Sequence, residues 1–180
     1  MKKVFVIFLA FLALQAEAQF TKATLQASGL TCAMCSNAIN KALQALPFIS
    51  SVKSDIKNSS FNISFKENEN VNIDAMKKAV EDAGFSVAKL NLTGYFDHLQ
   101  VKNDQHVKIY GNIYHFLNVN DQVLTGERTL TVVDKNFLTA KEFKKYAALT
   151  KMSCLQTGKA APCCVKDGIA ANTRIYHVTI

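Results

Sequence analysis

Two helix-period stripes set among four strand-like runs, followed by a stretch rich in β-branched and aromatic residues with a single helix signature, predict an α+β chain. The expected architecture is a ferredoxin-like βαββαβ sandwich over residues 19–92, then a small mainly-β unit with one helix over residues 93–180, for which an OB-type barrel is one candidate closure. Two thiols three positions apart, in Gly29-Leu30-Thr31-Cys32-Ala33-Met34-Cys35, lie between the first strand and the first helix.

The elements follow in order. Thr21 to Ser28 alternates, with Ala23, Leu25 and Ala27 on one side, and Gly29 ends the strand. Ile39, Ala42, Leu43 and Leu46 recur at i, i+3, i+4 and i+7, marking a helix from about Met34 to Leu46 that Pro47 stops. Val52 to Ile56 and the alternating Phe61, Ile63 and Phe65 form a hairpin around Lys57-Asn58-Ser59-Ser60. Asn72 caps a second helix with Ile73, Met76, Val80 and Ala83 on its inner stripe; Gly84 ends it and Phe85 to Leu92 supplies a strand.

In the second half, Gly94 to Asp104 reads as a polar connector containing His98. His106 to Val119 has strand character with a bend at Gly111, and Arg128 to Val133 is a further strand. Thr139-Ala140-Lys141-Glu142 fits a capping box that opens a helix running to about Thr150, with Phe143, Tyr146 and Leu149 inward. Thr173 to Ile180 closes the chain as a strand.

Residues 1–18 read as a secretory signal: Lys2 and Lys3 precede an apolar run from Val4 to Leu14, and Ala16-Glu17-Ala18 is a small-x-small cleavage site. That run is shorter than the roughly 20 residues a spanning helix needs, so the expectation is an exported chain beginning at Gln19, in a bacterial periplasm, without stable membrane insertion. The formal net charge of +7 is spread as scattered lysines with no aromatic-basic platform, which argues against nucleic acid as a partner. The 5 cysteines are an odd number in a compartment where disulfides form, so at least one thiol stays free, binds metal or pairs with another chain.

Cys-x-x-Cys has three readings: half of a structural zinc site, a redox couple, or a two-thiolate clamp for a soft ion. A structural zinc site needs a second pair, and none occurs before Leu92. Thioredoxin-like enzymes surround the motif with Trp and a cis-Pro, whereas this chain has no Trp and only Pro47 and Pro162. Two soft sulfurs with no nearby His or carboxylate favour Cu(I), which accepts low coordination, over Zn(II), which seeks four ligands; Hg(II), Ag(I) and Zn(II) remain open as alternatives. At an oxidising location the pair can also close into a disulfide that binds no metal.

The segment from Thr21 to about Leu92 resembles the heavy-metal-associated domain family of copper chaperones, metal-transporting P-type ATPase N-terminal repeats and periplasmic mercury-binding proteins. The resemblance rests on Gly29 to Cys35, on the helix continuation Ile39, Ala42 and Leu43, and on Val80-Glu81-Asp82-Ala83-Gly84-Phe85. Leu30 stands where the family usually has Met. The resemblance implies Cys32 and Cys35 as metal ligands, the first on an exposed loop and the second in the first helical turn, with Phe85 beside the loop. Thr31 before the first cysteine leans the choice towards copper or mercury, since zinc-preferring relatives often carry Asp there. The expected function is a non-enzymatic soft-metal protein that captures Cu(I) and exchanges it with a donor or acceptor protein. Sequestration of mercury or another heavy metal, and thiol-disulfide oxidoreduction, are the alternatives.

Cys154, Cys163 and Cys164 flank a small-residue loop, and a disulfide from Cys154 to Cys163 or Cys164 would staple it. A second soft-metal site from Met152, Cys154, Cys163, Cys164 and His177 is the sharper reading. His98, His106 and His115 show no helical ligand spacing and read as ordinary surface or strand residues.

Overall fold

A computed structural model describes residues 20–30 and 33–180. The expected signal segment and the pair Thr31 and Cys32 lie outside the described residues. The first half runs β1 (Phe20–Ser28), α1 (Ala33–Gln44), β2 (Ile49–Asp55), β3 (Ser60–Phe65), α2 (Ile73–Asp82) and β4 (Ser86–Val101). These four strands pair antiparallel in the order β2-β3-β1-β4, the ferredoxin-like arrangement expected. Helix α1 rests on β2, α2 rests on β4, and the helices touch each other, so both cover one face. Leu25, Ile39, Leu43, Phe61, Ile73 and Met76 fill the layer between them.

Local chemistry sets the ends of α2. The Asn72 side chain accepts from the Ala75 N–H at 2.9 Å. Gly84, at φ +87°, lets the Phe85 N–H reach back to the Val80 carbonyl and close the helix end.

The second half contains β5 (Gln105–Ile109), β6 (Asn112–Phe116), β7 (Gln122–Val132), α3 (Ala140–Ala147), two single-turn helices α4 (Cys154–Thr157) and α5 (Pro162–Val165), and β8 (Ile175–Thr179). Its strands do not close as an OB-type barrel. They extend the first sheet in the order β2-β3-β1-β4-β7-β8-β6-β5, with β2 and β5 at the edges. The position from 92 to 93, expected as a boundary, falls inside β4.

The expected polar connector is strand because the inward alternation of Leu90 and Leu92 continues through Phe96 to Val101 while Thr93, Tyr95 and Asp97 form the outer face. A bulge interrupts the pairing with β7 between Phe96 and Leu99, where His98 takes φ +49°. One apolar cluster therefore runs from Phe20 and Leu25 to Tyr114, Phe116 and Val178. The bend expected at Gly111 is the tight turn between β5 and β6, with Tyr110 at φ +49° and Gly111 at φ +81°. The capping box is present: the Glu142 N–H donates to Thr139 Oγ1 and the Thr139 N–H to Glu142 Oε2, both at 3.3 Å.

Arg174 ties the halves together. Its guanidinium donates to both Asp74 carboxylate oxygens of α2 at 2.8 and 3.0 Å and to Asp134 Oδ2 at 2.9 Å, and lies 4.1 Å from the Tyr176 ring centre. Burial alone would raise the Asp74 carboxyl, but Arg174 and the Tyr176 hydroxyl outweigh it and hold it below the usual carboxylate range. The arginine side chain is 30% exposed, so screening reduces the cost of removing it below that of a fully buried pair. Arg174→Ala should destabilise the protein by about 2 kcal/mol at pH 7 in urea denaturation. The Asp74 contribution is present above its unfolded pKa of about 3.9 and is lost as pH falls through the lower folded value, so the difference between variant and wild type should shrink below about pH 4.

Candidate metal centre

Strand β1 delivers the chain to Gly29, whose φ of +82° turns it away from the sheet. Leu30 and Phe85 pack against the main core at this point. A Cβ on Gly29 would lie 4.0 Å from Phe85 Cδ1, so the aromatic stands beside the start of the loop, as the family resemblance implies. Beyond Thr31 and Cys32 the chain enters α1, whose buried Ile39 and Leu43 anchor it to the sheet.

Cys35 sits half-buried in the first turn of α1, and no acidic residue shares that turn. The positive end of the helix dipole there favours a thiolate, and no acidic residue in the turn competes for it. Met34 is 82% exposed and turned outward. Cys32, the other expected ligand, is outside the described residues.

Comparison with known proteins matches this part of the chain. The model of the heavy-metal-associated domain covers residues 24–86. The copper chaperone CopZ of Staphylococcus haemolyticus is 34% identical over 59 residues, which span 33% of this chain and 85% of the chaperone. The chain belongs to the heavy-metal-associated domain family. A copper-transporting ATPase of Helicobacter pylori is 38% identical over 61 residues, 34% of this chain; the match spans only 8% of the ATPase. Among solved structures, a CopZ metallochaperone aligns over 38% of this chain and 100% of its own at 25% identity with a TM-score of 0.35. The yeast copper transporter domain Ccc2a aligns over 37% of this chain and 90% of its own at 30% identity with a TM-score of 0.34. The heavy-metal-associated match stops before the second half of the sheet begins. No described helix is long and apolar enough to cross a membrane.

The second half gathers residues that sequence spacing keeps apart. His98 is exposed beside Asp97, as expected. His106 and His115 are strand residues, one of the two places expected for them, with side chains 2% and 0% exposed. His106 on β5 is registered opposite His115 on β6, and His115 opposite His177 on β8, so three imidazoles form a row across adjacent strands. Ring centres lie 4.6 Å apart for His106 and His115 and 5.1 Å apart for His115 and His177.

Cys154, at the start of α4, closes over this row. Its Sγ lies 3.5 Å from His177 Nε2, 3.9 Å from His115 Nδ1 and 4.0 Å from His106 Nε2. The expected disulfide staple is not formed: Cys154, Cys163 and Cys164 are unbridged, and the last two sulfurs lie 3.5 Å apart. Met152 packs at the edge of this cluster.

Burial, with the neighbouring His177 and His106, lowers the His115 pKa to about 4 against its Asp104 partner. Burial, and then Cys164, pushes the Cys154 thiol up. Both groups are therefore neutral near pH 7 in the metal-free protein. Since His115 takes up a proton near pH 6.5 when unfolded and near 4 when folded, the unfolded chain holds more protons between those values. The metal-free protein should lose stability as pH falls from about 6.5 to about 4, by up to about 1.4 kcal/mol per pH unit. Urea denaturation at stepped pH checks this, and a His115→Gln variant should flatten the slope.

Proposed function

We propose that this chain is an exported, non-enzymatic protein that captures Cu(I) at Cys32 and Cys35 and passes it to a partner protein. The observation that carries this reading is the strand-Gly-x-x-Cys-x-x-Cys-helix junction, with Cys35 in the first turn of α1, within a family whose matched relatives are named as a copper chaperone and copper-transporting ATPases. Two thiolates supply the low-coordinate soft environment that Cu(I) accepts and Zn(II) does not.

Transfer needs no change in oxidation state. An incoming thiolate of the partner bonds to the copper, one of the two cysteine sulfurs leaves and takes up a proton, and repetition moves the ion across. The cargo is the substrate of this exchange. The charged and apolar start of the chain supports export to the periplasm, where loading requires the pair as thiols, through a reductant or through metal that arrives before the disulfide closes.

Replacing both residues as Cys32→Ser/Cys35→Ser should lower the Cu(I) stoichiometry by one ion per chain, measured anaerobically against a chromophoric chelator. Circular dichroism should remain unchanged, because serine keeps nearly the size and shape of cysteine and Cys35 is not fully buried. Unchanged stoichiometry in a folded double variant would contradict the assignment.

A further inference from the structure

We propose that His106, His115, His177 and Cys154 form a second metal site, separate from the Cys32 and Cys35 pair, that binds one Zn(II) or Cu(I) ion through three imidazole nitrogens and one thiolate. The site belongs to the half of the chain beyond the heavy-metal-associated match.

Each histidine is held by a carboxylate on one nitrogen and turns the other towards Cys154. His106 Nδ1 lies 2.7 Å from Asp167 Oδ2, His115 Nε2 lies 2.8 Å from Asp104 Oδ1, and His177 Nδ1 pairs with Asp134 Oδ1. An ionised carboxylate can only accept, so the ring nitrogen it meets carries the proton. In each neutral ring the remaining nitrogen then presents a lone pair, and these are the nitrogens nearest the Cys154 sulfur. Carboxylates of this kind fix the tautomer and aim of metal-bound histidines. Two of them are braced in turn: Asp134 by Arg174 at 2.9 Å and Asp104 by the Thr150 hydroxyl at 2.8 Å.

Without an ion this arrangement is poorly satisfied. Three nitrogen lone pairs meet one sulfur, and the thiol has one proton to offer them. The surroundings, including Ala160 and Ile175, are apolar and offer little in exchange. A cation resolves the conflict by displacing the thiol proton and accepting all four donors.

The spacing suits such an ion. Bonds of about 2.3 Å to sulfur and about 2.0 Å to nitrogen at tetrahedral angles put sulfur and nitrogen about 3.6 Å apart. The Cys154 sulfur meets the three nitrogens at 3.5, 3.9 and 4.0 Å, and the donor atoms of His106, His115 and Cys154 already lie within 4.8 Å of one another; His177, which meets this group through the sulfur, must draw in towards the other two rings to complete the set. The mixed nitrogen and sulfur set favours borderline to soft ions that accept tetrahedral geometry, which is the reason for naming Zn(II) and Cu(I) over Mg(II) or Ca(II). Cys163 and Cys164 flank the same sulfur, all three within 4.8 Å of one another, and the partly exposed Cys163 gives an incoming ion a first thiol contact from solvent.

The test uses the full chain carrying Cys32→Ser/Cys35→Ser, so that the outcome does not depend on the first site. Anaerobic titration with Zn(II) and, separately, with Cu(I) against chromophoric chelators should show one retained equivalent of at least one of them, and the tighter of the two identifies the ion. Adding Cys154→Ser or His106→Ala should weaken binding at least 100-fold, whereas Cys163→Ser should leave the stoichiometry at one. Asp167→Asn, at a carboxylate whose side chain is 49% exposed, should weaken binding 10- to 100-fold without disturbing the fold. Substitution with Co(II) should give a thiolate charge-transfer band that is absent in Cys154→Ser. Failure of the double variant to bind either ion would overturn the proposal. So would binding that survives Cys154→Ser, His106→Ala and Asp167→Asn but is lost in Cys163→Ser/Cys164→Ser.

Discussion

Strand β4 is hydrogen-bonded along one edge to β1 and along the other to β7. Its first part closes the ferredoxin-like unit and its second part carries the added strands, so the two halves of the chain share a backbone ladder and one apolar core. Both sites depend on this pairing. The Gly29 turn is set by where β1 ends beside Ser86 on β4, and the histidine row exists because β8 joins β7 on one side and β6 on the other. Slippage of β6 against β8 by one residue would turn His115 to the opposite face of the sheet.

A second physical link joins the halves through charge. Asp74 on α2 is held by Arg174, Arg174 by Asp134, and Asp134 by His177 in the imidazole row. The chain of contacts runs from a helix of the heavy-metal-associated unit into the cluster around Cys154. Its acidic members are partly or largely buried, so the arginine serves both as a brace between the halves and as compensation for their charge.

Much of the first half was legible because its signals are local. The inward stripe of α1, the Asn72 cap, the Gly84 stop and the Phe61, Ile63 and Phe65 alternation each declare themselves within a few residues. The Thr139 and Glu142 capping box was readable in the second half for the same reason. The continuation of β4 was missed because Asp97, His98 and Gln100 gave it a connector's composition, while their outward placement depends on pairing with a strand more than twenty residues later. His106 and His115 were missed as partners because their meeting is a matter of strand register. Cys154 and His177 were singled out, but their place beside His115 depends on the parallel pairing of β6 with β8 and on the packing of α4 over it, which no local spacing encodes. Two histidines symmetrically flanking the Tyr110-Gly111 turn were the available signal, since a two-residue turn fixes which residues face each other.

The two proposed donor sets differ in chemistry, sulfur alone against mainly imidazole nitrogen, and that difference gives a direct test. X-ray absorption at the copper edge of the full chain, reduced and loaded anaerobically with one equivalent of Cu(I), reports the atoms bound to the first ion. Capture at Cys32 and Cys35 predicts a first shell of sulfur alone with low coordination number. A first shell dominated by imidazole nitrogen would contradict the claim that the Cys-x-x-Cys loop is where this protein takes up its cargo.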